Sequence, residues 1–493
     1  MNIQLLLLFL VFSEIAVSQV KTRETRSSFV RDAKSLHKVK EGQKYEFGYL
    51  RVPENRSNPD SKLIELPVYI FKSRSSNPKK DPIIYLVGGP GSSIMSAVPY
   101  MNYYRYLDDR DFILFEQRGT QYAKPNLACP DLGKAFNQAE LLRLMHKENF
   151  DIVENAVAKC RQNLIKKDID LNGYNSLETA ADIQALRKHL GIEEYNLLTI
   201  SYGTKIAQII MRDYPEGLRS VVMDSPLPLE ANYDLSSAEN IKIVYDKLFN
   251  DCRSDSLCNL NYPRLEERFY DFINYCNETP IELNIKVRAK GKAQKYFVQG
   301  ADLFYFIADL NTSQILKAPL IINQILEGNY EVIEAQIISL AQGRPLGHGL
   351  GMRLSVWCSE ETSFIGAEDE KQASRTFPFL QGESTLLYSR ELCKIWNVNE
   401  ASNKENESIK SNIPALLISG EYDTFTPYKW ANAMLSNLEN AHHIIFKGWQ
   451  HSPTTYWSNP CGMESANEFF NNPEKLPKPE CFSNIKRPDF IIE

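Results

Sequence analysis

The sequence alternates between short apolar runs and amphipathic stretches with helical spacing. The continuous apolar runs at residues 83–87, 112–115 and Tyr195–Ile200 predict strands that are covered on both faces, as in a parallel sheet. Ser176–Leu190 carries apolar residues at helical spacing, with a serine as the predicted N-cap and Gly191 just beyond its end. Strand and helix thus follow one another, which predicts an α/β fold with a mostly parallel, doubly wound sheet.

Between about residues 224 and 411 this rhythm changes to helix-like stretches such as 241–249 and 320–340. Strand-like runs return at 415–419 and 443–446, so the intervening segment interrupts one domain, as a lid over a site does. We therefore predict a core formed by residues 19–224 and 412–493, the latter with a disulfide-linked C-terminal segment, and an inserted, mainly helical lid at 225–411.

The first residues have the pattern of a secretory signal peptide. An apolar run at residues 5–12 ends in the small-residue stretch Ala16-Val17-Ser18, and it is too short for a stable membrane anchor. We expect cleavage after Ser18, hence a signal peptide at 1–18 and an extracellular or periplasmic protein. The basic residues that usually open such a segment are missing, so a buried N-terminal strand is the alternative.

Composition excludes several classes of function. The chain has 493 residues, 43% of them hydrophobic, and a net charge of -6, which suits a sizeable core but not nucleic-acid binding. Its nine cysteines show no metal-ligand spacing, and in an exported chain disulfides are a better interpretation than zinc. An odd number leaves at least one thiol unpaired within a monomer, and the oligomeric state stays open.

The strongest chemical signal is a serine at a corner between strand and helix. The segment around Ser201 reads LLTISYGT, and Gly203 is small enough for strand and helix to approach closely. Such a corner is a nucleophile elbow, which pushes the serine hydroxyl out of the carboxyl edge of the sheet. We predict that Ser201 is the catalytic nucleophile.

A serine nucleophile needs a base and an acid that orients the base. Asp423 and His451 follow two later strands, in the order Ser, Asp, His that this kind of sheet uses. Glu421 is the alternative acid, whereas His442 and His443 are alternative bases that open a strand rather than lie in a loop. We predict Asp423 and His451.

An acyl-transfer site also needs amide donors for the oxyanion of its tetrahedral intermediate. The loop Gly88-Gly89-Pro90-Gly91-Ser92-Ser93 follows a strand, and we predict that the amides of Gly89 and Tyr202 form the oxyanion hole. A phosphate-binding loop is the alternative, but the lysine of a P-loop and the third glycine of a dinucleotide fingerprint are missing. No metal or organic cofactor is implied.

Taken together, these motifs resemble the serine peptidases of the proline iminopeptidase and tripeptidyl aminopeptidase family, over nearly the whole mature chain. The resemblance rests on GGPGSS from Gly88, EQRGT from Glu116, TAADIQALRKHLG from Thr179, SYGT from Ser201, RDYPEGLRSVVMDSPLP from Arg212 and IPALLISGEYDTFTP from Ile413. The cysteine-bearing stretches look like the secreted tripeptidyl aminopeptidase branch. The resemblance implies an α/β-hydrolase fold.

Three residues depart from the family pattern. Glu116 replaces an Asp before Gln-Arg-Gly, Thr199 replaces a Gly at the elbow, and Gln450 replaces the Gly before the histidine. Because a β-branched side chain at the elbow crowds the helix, Thr199 is the departure of most consequence. Arg118 is interpreted as structural, since in this family its loop supports the oxyanion loop.

An aminopeptidase must recognise a free ammonium group, and a carboxylate in the lid can pair with it. We predict Glu360 and Glu361 as this anchor, with a solvated acidic patch as the equal alternative. Nearness in sequence and the family pattern imply four disulfides, which leave Cys276 over. The pairs are Cys129 with Cys160, Cys252 with Cys258, Cys358 with Cys393, and Cys461 with Cys481.

The sequence therefore predicts a secreted serine hydrolase that acts on short peptides as an aminopeptidase through an acyl-enzyme on Ser201. A carboxylesterase is the alternative enzyme, because the same three residues cleave esters and selectivity lies in the lid. A non-catalytic binding protein with the same fold is less favoured, since all three catalytic candidates are present. Residue preference and the number of residues released stay open.

Overall fold

The computed structural model describes residues 26–147, 151–288, 291–305, 310, 312–343, 349–381, 388–484 and 489–492. The predicted signal peptide at 1–18 lies outside these residues. Among the described helices, none is long and apolar enough to span a bilayer.

A nine-stranded sheet forms the centre of the molecule, with the strand order β1-β2-β3-β5-β4-β6-β7-β10-β11. The first three strands are antiparallel to their neighbours, and all later pairings are parallel. The strands of the chain are β1 (Ser28–Arg31), β2 (Tyr45–Pro53), β3 (Leu63–Phe71), β4 (Lys79–Leu86), β5 (Arg110–Phe115), β6 (Tyr195–Ile200), β7 (Leu218–Asp224), β8 (Ile281–Ile285), β9 (Gln294–Val298), β10 (Ala415–Gly420) and β11 (Ala441–Phe446). This architecture confirms the predicted α/β class and doubly wound sheet.

Helices cover both faces of the sheet and fill the segment between β7 and β10. The described α-helices are α1 (Pro130–Leu144), α2 (Ile152–Ile165), α3 (Ser176–Leu190), α4 (Gly203–Asp213), α5 (Tyr233–Ser254), α6 (Ser256–Asn261), α7 (Leu265–Glu278), α8 (Gly300–Tyr305), α9 (Thr312–Ile315), α10 (Ala318–Leu326), α11 (Glu331–Ala341), α12 (Leu350–Glu360), α13 (Ala367–Thr376), α14 (Arg390–Trp396), α15 (Tyr428–Met434) and α16 (Cys461–Asn471).

The continuous apolar runs of the central strands arise because both faces of the sheet are buried. On β4, Ile84 packs in the cluster under α3 and α4, whereas its neighbours Ile83 and Tyr85 pack on the opposite face with Phe469 of α16. Successive side chains of a strand point to opposite faces, so a doubly covered strand needs apolar residues at every position.

The segment between β7 and β10 has a hydrophobic core of its own. Leu248 of α5, Phe269 of α7 and Ile322 of α10 belong to this cluster. An antiparallel hairpin of β8 and β9 also lies here, in a region that we predicted as mainly helical. In β8, buried and exposed residues alternate because one face of the hairpin is open to solvent, so its sequence contains no continuous apolar run.

Two predicted element details were wrong. The helix-like stretch 320–340 is two helices, α10 and α11, separated at Gly328, whose φ of +86° is the left-handed conformation that ends a helix. The N-cap of α3 is Asn175, whose side chain accepts a hydrogen bond from the Glu178 amide, and not Ser176. The predicted C-terminal glycine of α3, Gly191, does adopt the left-handed conformation.

Four disulfide bonds join the cysteines in the pairs that the family resemblance implies. Two of them close loops inside the segment between β7 and β10, and another ties α16 to the C-terminal tail. The bonds are Cys129–Cys160, Cys252–Cys258, Cys358–Cys393 and Cys461–Cys481. Among the described residues, Cys276 is the cysteine without a disulfide partner, and it is buried.

Candidate active site

Ser201 lies at the tip of the turn between β6 and α4. Its φ of +56° is left-handed, a strained conformation for a residue other than glycine, and its amide donates to the Asp224 carbonyl over 2.9 Å. A side chain at Gly203 would come within 2.6 Å of the Leu86 carbonyl oxygen, so only glycine permits this turn. These are the features of a nucleophile elbow.

Thr199, which stands where the family has a glycine, is a buried residue of β6 with a hydrogen-bond partner. It is fully buried, and its hydroxyl donates to the Val222 carbonyl of the neighbouring strand over 3.0 Å. A buried hydroxyl costs little when it has an acceptor, so the departure from glycine is accommodated inside the sheet.

Asp423 is held in the loop after β10 by a set of converging donors. The amides of Phe425 and Thr426 both donate to Oδ1 over 2.9 Å, and the Thr426 hydroxyl donates to Oδ2 over 2.8 Å. His451 Nδ1 lies 2.8 Å from the same Oδ2 atom. The carboxylate is fully buried, and every one of these contacts favours its ionised form.

Asp423 and His451 each stabilise the charged form of the other. Burial favours a protonated Asp423, but the charge and hydrogen bond of His451 together with the Thr426 donors hold the pKa of Asp423 below its usual value. Burial likewise opposes a charge on His451, yet the Asp423 carboxylate outweighs it and raises the pKa of His451. Because Nδ1 is engaged by Asp423, Nε2 is the nitrogen free for proton transfer.

The alternative acid Glu421 and the alternative base His443 form hydrogen bonds and ion pairs with other residues. Glu421 forms an ion pair with Lys247 at 2.9 Å and accepts the Gly448 amide over 2.8 Å. His443 contacts Ser419 Oγ and Asn432 Oδ1, and burial lowers its pKa to about 4. Both therefore stabilise loops and strands and do not contact the pair formed by Asp423 and His451.

The glycine loop after β4 lies directly against the nucleophile. A Cβ atom at Gly88 would stand 2.6 Å from Ser201 Cβ and 3.1 Å from Ser201 Oγ, so the backbone of Gly88 touches the serine side chain. Sequence reasoning named Gly89, which follows with a φ of +122°, and overlooked that Gly88 must lack a side chain. The oxyanion role of the Gly89 and Tyr202 amides stays a prediction.

Glu116 stabilises the glycine loop through hydrogen bonds. The buried carboxylate accepts hydrogen bonds from the Ser93 hydroxyl at 2.9 Å and from the amides of Ile94 and Tyr122, both at 3.1 Å. Burial raises the pKa of Glu116, and these donors compensate in part for the lost hydration. The longer Glu in place of the family's Asp thus acts as a support for the glycine loop.

Arg118 has the structural position that we predicted. It is fully buried, and its guanidinium binds Asp182 of α3 through two nitrogens, at 2.8 and 2.7 Å. It also donates to the Glu54 carbonyl over 2.6 Å and to the Gly173 carbonyl. One side chain therefore joins the end of β2 to α3.

The two lid carboxylates are buried rather than solvated, so the acidic-patch alternative is wrong. Glu360 accepts the Ser176 amide over 2.6 Å and the Ser176 hydroxyl, which also contacts Tyr202. Glu361 forms a buried ion pair with Lys205 of α4. Burial raises the pKa of Glu360 to about 7, whereas the charge of Glu361 is already compensated by a lysine.

The three catalytic candidates thus lie at the carboxyl ends of β6, β10 and β11, on one edge of the sheet. Asp423 and His451 are in direct contact, and Ser201 is joined to the histidine loop through the end of β7: its amide binds the Asp224 carbonyl, and the Ser452 amide binds Ser225 Oγ over 2.8 Å. Among the described residues, no cluster of His, Cys, Asp and Glu could hold a metal ion.

Comparisons with known proteins agree with this fold. Residues 81–260 match a family model described as the alpha/beta hydrolase fold, and residues 379–481 match one described as TAP-like protein. Serine protease Hip1 of Mycobacterium tuberculosis is 23% identical over 82% of this chain and 81% of its own. The tripeptidyl aminopeptidase of Streptomyces lividans is 21% identical over 84% of this chain and 79% of its own.

A crystal structure of proline iminopeptidase from Mycobacterium smegmatis aligns with 86% of this chain and 98% of its own length, at 15% identity and a TM-score of 0.39. That score is low, and the assignment rests on the family models and the curated relatives. The chain is a serine peptidase-like hydrolase with the α/β-hydrolase fold, and its C-terminal part is similar to TAP-like proteins.

Proposed function

We propose that this chain is a secreted aminopeptidase that releases N-terminal residues or short peptides, of one to three residues, through an acyl-enzyme on Ser201. The observation that supports this most directly is the 2.8 Å contact between Asp423 and His451 at the edge of the sheet where the elbow presents Ser201. The relatives named serine protease and tripeptidyl aminopeptidase favour a peptide substrate over a simple ester.

In the proposed reaction His451 Nε2 takes the proton of the Ser201 hydroxyl while Oγ attacks the scissile carbonyl. The tetrahedral intermediate collapses as the C–N bond breaks, and the imidazolium gives the proton to the leaving amine. A water molecule then attacks the acyl-enzyme, His451 takes one of its protons, and Ser201 regains a hydroxyl when the ester bond breaks. Asp423 stays ionised throughout and stabilises each imidazolium.

Of the two carboxylates predicted to bind the substrate's amino terminus, the contacts favour one. Lys205 already compensates Glu361, so an added ammonium group gains little there. Among the described residues, Glu360 has no ion-pair partner, and it lies one serine away from Tyr202 beside the nucleophile. We therefore propose Glu360 as the better of the two candidates for binding the substrate's amino terminus.

Export is supported by the four disulfide bonds, since such bonds persist in oxidising compartments. The signal-peptide pattern supplies a route for export, and amino-terminal sequencing of the protein recovered outside the cell tests it. We expect the mature chain to begin at Gln19.

The decisive experiment combines active-site labelling with a substrate panel. We expect a fluorophosphonate to label the wild type, Ser201→Ala to abolish labelling and hydrolysis, and the control Ser254→Ala, on the surface at the end of α5, to retain both. Fluorogenic amides of one, two and three residues, each with a free or acetylated amino terminus, then measure specificity. Cleavage of esters without any cleavage of free-amino amides would show a carboxylesterase instead.

A further inference from the structure

Asp224 and Ser225, at the carboxyl end of β7, stand between the strands that carry Ser201 and Asp423. The Asp224 backbone carbonyl accepts the Ser201 amide over 2.9 Å. Its carboxylate faces the histidine loop, where the Thr454 amide donates to Oδ2 over 2.8 Å and the Thr454 hydroxyl donates to the same atom. One residue therefore binds the nucleophile elbow through its backbone and the histidine loop through its side chain.

Ser225 extends this connection to the strand before Asp423. Its amide donates to the Ile418 carbonyl of β10 over 2.7 Å, and its hydroxyl accepts the amide of Ser452, the residue that follows His451. Ser225 has a φ of +56°, and Ser452 one of +64°. Such conformations persist only where the surrounding contacts hold them, so the hydrogen bonds at this junction fix its backbone geometry.

The Asp224 carboxylate is fully buried, and the titratable groups around it can be named. His451 interacts with it electrostatically from the loop after β11, and Asp423 lies behind that imidazole. The phenols of Tyr85 on β4 and Tyr106 also interact with it electrostatically; burial raises the pKa of both well above normal, so they bring no charge. His451 is thus the group whose charge Asp224 influences.

We propose that Asp224 is a positioning residue that ties the histidine loop to the nucleophile elbow and adds a second negative charge that stabilises the His451 imidazolium. This proposal rests on the proposed function, because it concerns how the same histidine works as a base. Burial raises the pKa of Asp224 to about 6, and the Thr454 donors oppose that rise, so the carboxylate is mostly ionised at neutral pH.

The pH dependence of catalysis tests the proposal. Activity requires a neutral His451, so the rate falls as the pH drops through the pKa of that imidazole. Asp224→Asn keeps an oxygen for the Thr454 donors but removes the charge, which lowers the pKa of His451. The acid limb is the part of the pH profile in which the rate falls as the pH decreases. We expect the acid limbs of kcat/KM and of fluorophosphonate labelling to move to lower pH, by roughly half a pH unit or more.

Thr454→Val is a second, independent variant. Without the hydroxyl donor, the pKa of Asp224 rises, and the carboxylate is neutral over more of the acid range. It then stabilises the His451 imidazolium less, so the acid limb should also move to lower pH, but by a smaller amount than in Asp224→Asn. Thr455→Val is the matched control, because the Thr455 hydroxyl donates to the Ser452 carbonyl and makes no contact with Asp224. We expect its acid limb to coincide with that of the wild type.

An acid limb that stays in place or moves to higher pH in the Asp224→Asn and Thr454→Val variants overturns the proposal. If Asp224→Asn does not fold, as judged by circular dichroism, the result from Thr454→Val decides alone. Loss of labelling in Ser201→Ala is measured in parallel. A wild type that is not labelled at all would refute the proposed function itself, an outcome distinct from failure of the Asp224 proposal.

Discussion

At the scale of single residues, the site depends on a few buried groups that set the geometry of the side chains beside them. Thr426 is an example: it is 1% exposed, and its hydroxyl reaches both Asp423 Oδ2, at 2.8 Å, and His451 Nδ1, at 3.2 Å. A hydroxyl between an acid and an imidazole can fix the position of both. Its partners lie 3 and 25 residues away, so the sequence pattern predicted the acid and the base but not this support.

Replacing Thr426 with Val removes this donor and nearly preserves the shape of the side chain. A hydrogen bond to a charged group contributes about 1.5–3 kcal/mol, so we expect kcat/KM to fall by about 10-fold or more while the protein stays folded. Thr426→Ser keeps the hydroxyl and is the control. Steady-state kinetics with the best amide of the panel measures both variants; equal rates for Val and wild type would contradict the prediction.

The same scale shows why some site residues escaped prediction. Asp224 binds Thr454 across 230 positions of the chain, and Glu116 supports the glycine loop from 22 positions away. The sequence contains no local spacing that pairs such residues, because the pairing is made by the order of strands in the sheet. Gly88 could have been found, since a glycine directly after a strand that leads to a turn marks close backbone approach.

At the scale of elements, the central strands could be predicted because each is a run of consecutive apolar residues that are all buried. The run YNLLTI of β6 is buried at every position, as a strand covered on both faces must be. By contrast β1 has a half-exposed pattern and, among the described strands, pairs with β2 alone, so it carries no such signal and was not predicted. Helix ends depended on single residues, as Gly328 and Asn175 show.

The disulfides offer an element-scale prediction. Cys358–Cys393 joins α12 to α14 across a sequence separation of 35, whereas Cys252–Cys258 joins α5 to α6 across 6. If a disulfide stabilises by restricting the unfolded chain, replacing both cysteines with Ala should cost about 1.5 kcal/mol more for the first pair than for the second. Guanidinium unfolding of the two double variants measures the difference; a larger loss for the shorter loop would contradict the entropic account.

At the scale of the whole molecule, the hydrolase core and the segment between β7 and β10 meet beside the elbow helix. Lys205 on α4 and Glu361, just beyond α12, form an ion pair in which both side chains are at most 4% exposed. The amide of Tyr233, where α5 begins, also donates to Glu361 over 3.4 Å. The sequence indicated Glu361 as a residue for substrate, because nothing local in WCSEE reveals a lysine more than 150 positions earlier.

We predict that the buried ion pair between Lys205 and Glu361 contributes to the stability of the contact between the hydrolase core and the segment between β7 and β10. Lys205→Met leaves the Glu361 carboxylate buried without its cation, and breaking a buried pair in this way costs about 3–5 kcal/mol. The double variant Lys205→Met/Glu361→Gln removes both charges, so we expect it to recover most of that loss. Guanidinium unfolding of the wild type, both single variants and the double variant completes the thermodynamic cycle.

A second lysine on the core gives the matched control. Lys429 on α15 pairs with Glu239 on α5 at 2.8 Å, but their side chains are 32% and 58% exposed. Water already solvates these charges, so Lys429→Met should cost at most about 1 kcal/mol. If Lys205→Met costs no more than Lys429→Met, the core and the inserted segment are held by their apolar contacts, and the buried charges beside the elbow serve another purpose.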